Sequence, residues 1–478
     1  MTEPSVGVLY HSVRPRVLAY LLGRVGLVLV ALALVPMSVA LMSGLLGITL
    51  RYLIVLAPLG LLCWPLARLS PPTDLRGNEG LVVTALAFLL SPLLMAYPLS
   101  GAGVSYSAAL FEAVSAVTTT GLSTLPAVAD KPPAFLFARA WMQWYGGLGI
   151  VALLPLWLEP GRLPRRLLGL EVEAEPLTSA WIYTWRIGRV YLAITGLAFF
   201  LLWGLGGDPF AALVHALAAI STGGFSSLDR GLTELGAPFA VGVMGVSLLG
   251  ALPFAMYLGL PGSWWRDLQL RALLVNAFLS ACLIAAILVW QQGFGWGPAL
   301  FHGVLTAISA QTTAGFSTLE VGTMPPAVLG LLLATMLSGG GLGSTAGGIK
   351  WLRILIFLRT LILQLRRLAL PPHAWIELRL GNQIIDESLS SRVQLLILLY
   401  VLTVFVSWLP FLLWGYDPLR SLFEVVSAVA TVGLSVGITD MELPGLLRCV
   451  LGLDMWLGRV EIFAVLVLFN PVTWRTSR

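Results

Sequence analysis

Four short stretches combine residue types that can strip water from a cation. They are Thr118, Thr119, Thr120, Gly121; Ser221, Thr222, Gly223, Gly224; Thr312, Thr313, Ala314, Gly315; and Ala430, Thr431, Val432, Gly433. In every copy position two is Thr, position four Gly, position five Leu or Phe and position six Ser. A Gly in such a loop can take φ > 0 without steric cost, which lets successive carbonyls point the same way. Four loops around one axis then stack rings of carbonyl oxygen that replace a cation's hydration shell, and Thr hydroxyls add a further ring. The candidate ligands are Thr119, Thr120, Thr222, Gly223, Thr313, Ala314, Thr431 and Val432. No acid lies within the patterns, which disfavours a divalent-cation filter built on carboxylates. Gly and Thr are also common where membrane helices pack closely, so one copy alone would favour packing. Four copies at matched places favour the filter.

The elements that hold these loops can be read from the spacing of apolar runs. Of 478 residues 58% are hydrophobic and 11% charged, against about half and a quarter in a soluble chain, which excludes soluble enzymes, disordered scaffolds and nucleic-acid modules. Ten runs are long enough to span about 30 Å of hydrocarbon: 17–46, 50–69, 81–97, 134–158, 181–205, 238–260, 268–290, 326–363 with a glycine-rich interruption, 393–414 and 446–469. The first lacks a small-residue cleavage site and reads as a span, not a secretory signal. Four shorter runs, 105–117, 208–220, 298–311 and 417–430, read as re-entrant half-helices, each leading into one filter pattern. Irregular backbone at membrane depth is tolerated only where protein buries it or water bathes it, so these imply a central pore. Each half-helix would aim its carbonyl end at that pore, where its dipole favours a cation.

The pattern glycines lie 103, 91 and 118 residues apart, and Glu112 and Glu424 both precede theirs by nine residues. The chain therefore reads as an internal fourfold repeat: an all-α membrane protein with two leading spans (1–78) and span, pore-helix, filter, span units at 79–180, 181–266, 267–385 and 386–478. The third half-helix is about one turn longer, because Phe301 precedes Gly315 by 14 residues whereas Phe111 precedes Gly121 by ten.

Charge sets the orientation. The formal charge is +5; of 28 Lys and Arg, 21 fall on the side of the termini, Arg51, Lys131, Arg139, Arg230, Arg420 and Arg448 fall opposite, and Arg459 lies inside a span. By the positive-inside rule both termini are cytoplasmic. The outer loops carry Asp130, Asp208, Asp229, Glu234, Glu320, Asp417, Asp440 and Glu442, a field that gathers cations. Cys63, Cys282 and Cys449 have no spacing that supports a disulfide or zinc site, and His11, His302 and His373 are too scattered for a metal or haem pair.

With these patterns, the stretch from Gln143 to Ile150 (QWYGGLGI), that from Gly339 to Lys350, and Gly458-Arg-Val-Glu461 with Phe469-Asn-Pro471, the chain resembles the Trk/Ktr/HKT superfamily of potassium transporters, specifically the bacterial Trk-type membrane subunit. The resemblance covers nearly the whole length. It implies potassium uptake across the bacterial inner membrane, with K+ as the transported ion. It also implies a homodimer in which each protomer has its own pore, regulated by a cytosolic nucleotide-binding partner. Members with Ser at the first filter glycine tend to favour sodium, and Gly121 here points to potassium. The resemblance makes the stretch from Ser338, with Gly339, Gly340, Gly341, Gly343, Ser344, Thr345, Gly347, Gly348 and Lys350, the intramembrane loop that obstructs permeation. Arg459 lies beside it in the family's arrangement, as a barrier or latch.

Residue chemistry adds its own expectations. Continuous helix through residues 338–348 is costly at about 1 kcal/mol per glycine, so a flexible loop or a tight packing corner is expected there. Arg459 is expensive inside a span unless partnered, and Asp454 and Glu461 are the nearby acids. Glu112, Glu424 and His215 are expected to brace the loops rather than coordinate ions. Lys350, Arg353, Arg359, Arg366 and Arg367 form a basic face for lipid headgroups or for the regulatory partner. No strand-linked phosphate loop is present, so no organic cofactor and no nucleic acid is expected. A sodium- or proton-coupled secondary transporter remains the alternative; an intramembrane enzyme would need a nucleophile or metal set that the spans lack.

Overall fold

Polar caps start three of the four short helices, and Pro209 and Pro418 fix the first turn of two of them. Asp208 accepts hydrogen bonds from the Phe210 and Ala211 amides (2.8 and 3.0 Å) at the head of Pro209–Ile220, Asp417 from that of Arg420 (2.8 Å) at the head of Pro418–Val429, and Ser105 from that of Ala108 (3.3 Å) at the head of Tyr106–Val117. Two acids read from sequence as part of a cation-gathering field are thus helix caps as well.

The computed structural model describes residues 12–72, 75–157, 176–229, 231–259, 261–369, 371, 376–381 and 383–474. It is a helical membrane protein. Among the described residues six helices are long and apolar enough to span a bilayer: Pro15–Met42, Leu46–Ala67, Gly77–Ser100, Ile182–Gly204, Leu268–Gln292 and Glu387–Leu413. Pro133–Trp157 adds another long helix, and four half-helices, Tyr106–Val117, Pro209–Ile220, Trp296–Gln311 and Pro418–Val429, stand where short apolar runs were expected. The departure from all-helix is a two-residue ribbon, Arg379–Leu380 paired antiparallel with Gln383–Ile384.

Several spans differ from expectation. The first ends at Met42, because Gly44 turns with φ 72° and the next helix starts at Leu46. The sixth stops at Ala251, where Leu252 leaves helical geometry ahead of Pro253, and continues as 3-10 turns. The tenth is broken: Gly445–Arg459 ends at Val460, and Glu461, with φ 59°, opens Glu461–Phe469. Arg139, counted in an outer loop, is buried inside Pro133–Trp157. Arg162, Arg165, Arg166, Arg230, Arg475 and Arg478 of the charge count, with His11 and His373, lie outside the described residues.

Buried side chains gather in two large clusters. One joins the leading helices to the first two half-helices and their neighbours, and the other packs residues 281–349 against 400–462. The four loops lie where these bodies meet, with Thr118, Thr119, Thr120, Thr222, Thr312, Thr313 and Thr431 all buried.

Candidate functional site

Each half-helix runs out into a loop with the same backbone. Position two is left-handed in all four, with φ of 55° at Thr119, 51° at Thr222, 54° at Thr313 and 50° at Thr431; position four is positive too, at Gly121 (94°), Gly224 (75°), Gly315 (68°) and Gly433 (89°). Positive φ at a β-branched residue is an outlier and costs about 1–3 kcal/mol. Four such residues at one register mean that the surroundings impose the conformation. The glycines were anticipated; the left-handed threonines were not, since nothing in the side-chain pattern favours that conformation.

The loops close a ring. A methyl added to Gly121 runs into the carbonyl of Gly223, one on Gly224 into that of Ala314, one on Gly315 into that of Val432, and one on Gly433 into that of Thr120. Position four of each loop therefore abuts the position-three carbonyl of the next, and the fourth returns to the first. The Thr119 and Thr431 hydroxyl oxygens are buried in the loops without a hydrogen-bond partner.

One side chain per half-helix pins its loop. Glu112 accepts from the Ser123 hydroxyl (2.7 Å) and Thr124 amide (3.0 Å), and Glu424 from the Ser435 hydroxyl (2.6 Å) and the Val436 and Thr439 amides (3.2 and 2.8 Å). His215 Nε2 lies 3.0 Å from the Ser226 hydroxyl while Nδ1 meets the Ala211 carbonyl at 2.8 Å. In the third copy His302 takes this part, with Nδ1 3.0 Å from the Thr318 hydroxyl. It was overlooked because it sits one turn upstream of the matched position, in the half-helix that is one turn longer.

Buried Arg139 pairs with Glu112 at 2.8 Å and lies 3.7 Å above the Phe225 ring, joining the first half-helix to the second loop. Arg139→Met strands the Glu112 carboxylate, and removing one partner of a buried pair costs about 3–5 kcal/mol. Thermal melting of the solubilised variant is expected to show that loss, with partial recovery in Arg139→Met combined with Glu112→Gln; an unchanged melting temperature would remove the pair from the fold's support.

Against the ring runs the glycine-rich stretch, held by hydrogen bonds to its neighbours. The Gly341 and Thr345 amides donate to the carbonyls of Ala251 (3.0 Å) and Gly250 (3.2 Å), and the Gly347 amide to the Thr313 hydroxyl (2.7 Å). The Thr345 hydroxyl lies 3.0 Å from the Ile220 carbonyl, at the end of the second half-helix. Residues 339–348 thus reach the second and third loops by hydrogen bonds and the fourth by packing, since a methyl added to Gly347 would run into the Ala430 carbonyl and the Thr431 hydroxyl.

Arg459 pairs with neither Asp454 nor Glu461. Its guanidinium donates to the carbonyls of Thr345 (2.6 Å) and Gly146 (3.2 Å), while Asp454 accepts from Ser407 (2.6 Å) and Glu461 pairs with Arg353 (2.7 Å). Lys350 is not part of the basic cytoplasmic face: it is buried, with φ 77°, and its Nζ donates to the Ala346 carbonyl at 2.6 Å. Arg359, Arg366 and Arg367 remain exposed on that face. A cavity of about 30 Å³, room for about one water, lies between Arg459, Lys350 and Gly347.

Known proteins resemble this chain in sequence and fold. The TrkH cation transport protein family matches residues 287–474. An uncharacterized cation transporter of Methanocaldococcus jannaschii is 32% identical over 421 residues, covering 86% of each chain. The Trk system potassium uptake protein TrkH of Escherichia coli is 28% identical over 455 residues, covering 89% of this chain and 92% of that one. The crystal structure of the potassium transporter TrkH from Vibrio parahaemolyticus superposes with a TM-score of 0.84 at 24% identity, covering 96% of this chain and 99% of the other, which establishes a shared fold. With the extent of these matches, the chain belongs to the TrkH family of cation transport proteins, a family of Trk-type membrane transporters and not of enzymes.

Proposed function

We propose that this protein is the potassium-conducting subunit of a Trk-type uptake system. The four patterns form its selectivity filter, Thr119, Thr120, Thr222, Gly223, Thr313, Ala314, Thr431 and Val432 supply the carbonyls that replace the hydration shell of K+, and the four units divide at 79–180, 181–266, 267–385 and 386–478. The observation that carries this reading is the closed contact from each loop glycine to the next loop's carbonyl, with buried, unpartnered threonine hydroxyls beside it. A dehydrated cation would take oxygens of this ring in place of its hydration shell.

The stretch from Gly339 to Lys350 acts as the gate and Arg459 as its latch. The subunit works as a homodimer in the bacterial inner membrane, both termini cytoplasmic, under a cytosolic nucleotide-binding partner; the names of the Escherichia coli and Vibrio relatives, which refer to a potassium system and a potassium transporter, support the ion. The deciding measurement is current against voltage for the purified protein in planar bilayers under a potassium gradient. Conduction through a filter reverses at the potassium equilibrium potential. Reversal that moves with a second ion would instead assign a sodium- or proton-coupled carrier.

A further inference from the structure

Three of the four loops carry a serine six residues before the pattern glycine, and the second does not. Ser115 accepts from the Gly121 amide at 3.0 Å and Ser427 from the Gly433 amide at 3.1 Å, each bracing its own loop from within its own half-helix. Ser309 holds the third place, where its buried hydroxyl makes no hydrogen bond. In the second loop the position is Ala218, which has no hydroxyl, and position three is Gly223, which has no side chain at all.

Gln143, on the neighbouring helix Pro133–Trp157, fills that gap. It is fully buried; its Nε2 donates to the carbonyl of Gly223 and its Oε1 accepts from the Phe225 amide at 3.2 Å. The two bonds bridge Gly224 from either side. Only one amide orientation serves both partners, because a carbonyl needs a donor and an N–H an acceptor. A β-carbon on Gly223 would run into this amide, so the missing side chain is what admits Gln143. The next residue ties this segment to the following helix: Trp144 donates to the Thr195 hydroxyl (3.0 Å), and Tyr191 donates to the Trp144 carbonyl (3.1 Å).

We propose that Gln143 is a selectivity-determining positioning residue, the external brace that sets the direction of the Gly223 carbonyl in the second loop. A carbonyl oxygen has two acceptor sites, so one lone pair takes the Gln143 amide while the other stays directed at the ring. Gln143 thereby fixes both the aim and the field strength of one oxygen in four. Its effect is on which ion is accepted, not on whether the gate opens. This inference rests on reading the loops as a filter.

The test is the K/Na permeability ratio, from bi-ionic reversal potentials of the full-length protein in bilayers, with Gly121→Ser as the reference that interrogates the filter itself. Gln143→Ala and Gln143→Met are expected to lower the ratio about fivefold, the scale of one hydrogen bond. Adding Ala218→Ser to Gln143→Ala is expected to restore more than half of the loss on a logarithmic scale, by supplying the hydroxyl that the first and fourth loops use. The shape-conserving Met variant carries the test if the Ala variant does not fold. If Gly121→Ser lowers the ratio and the Gln143 variants stay within about twofold of the parent, the brace is overturned and the filter stands. A loss that Ala218→Ser leaves unmoved reflects general loosening and also overturns it. If Gly121→Ser has no effect either, the filter reading fails and the brace fails with it.

Discussion

Gly121→Ser is expected to lower the potassium-over-sodium permeability ratio by about tenfold or more, a shift of about 59 mV in the bi-ionic reversal potential. Two independent costs converge on this position. The backbone stands at φ 94°, where an L side chain costs about 1–2 kcal/mol, and the new β-carbon runs into the Gly223 carbonyl. Relief comes only by rotating the first loop or by pushing the Gly223 oxygen aside, and either motion changes the spacing of a ring that, on the proposed function, must match one ionic radius. The contact chain passes from loop to loop, so Gly433→Ser, which meets the Thr120 carbonyl, should act in the same direction. An unshifted reversal potential in folded, conducting Gly121→Ser protein would show that this ring does not select the ion.

Arg459→Ala is expected to raise rubidium flux into proteoliposomes by about tenfold to a hundredfold in the absence of any regulatory partner. The guanidinium is buried and donates to the Thr345 and Gly146 carbonyls, so its loss unties residue 345 from the helix Gly445–Arg459. On the proposed function it also removes a fixed charge from the route that a cation takes past residues 339–348. A cation passing within about 4 Å of another unit charge meets about 4 kcal/mol of repulsion at an effective dielectric of about 20, partly offset by neighbouring carbonyls. Arg459→Lys separates the two effects. It keeps the charge but presents a compact ammonium in place of the two-armed fork, so flux between the parent and Arg459→Ala is the expected result. Parent-level flux in Arg459→Ala would leave the stretch 339–348 without a latch at this residue.

The break that places Arg459 is informative. Val460 ends one helix and Glu461, at φ 59°, begins the next; Glu461 then turns to Arg353 at the head of Trp351–Leu368. Arg459 and Glu461 are two residues apart in sequence yet face different partners. The first holds Thr345 and the second holds the helix that leaves the glycine-rich stretch. An unbroken helix would place residues two apart roughly 200° apart around the axis, so sequence distance alone made Glu461 look like a nearby counter-ion when geometry does not allow it.

Composition and pattern were enough to establish a helical membrane protein, four half-helices, and four loops with glycine at one register, because burial in lipid demands long apolar runs and positive φ is least costly at glycine. They also marked Glu112, Glu424 and His215, since a polar residue on an otherwise apolar half-helix needs a partner nearby. What only the tertiary structure decided are contacts between distant segments: the cyclic order in which Gly121 meets Gly223 and Gly433 returns to Thr120, the pairing of Arg139 with Glu112, the choice of His302 one turn early, and the reach of Gln143 to the second loop. The left-handed threonines belong to the same group. Threonine does not choose that conformation locally, so it exists only because the neighbouring loops and half-helix ends hold it there, and no window of sequence contains the atoms that do so.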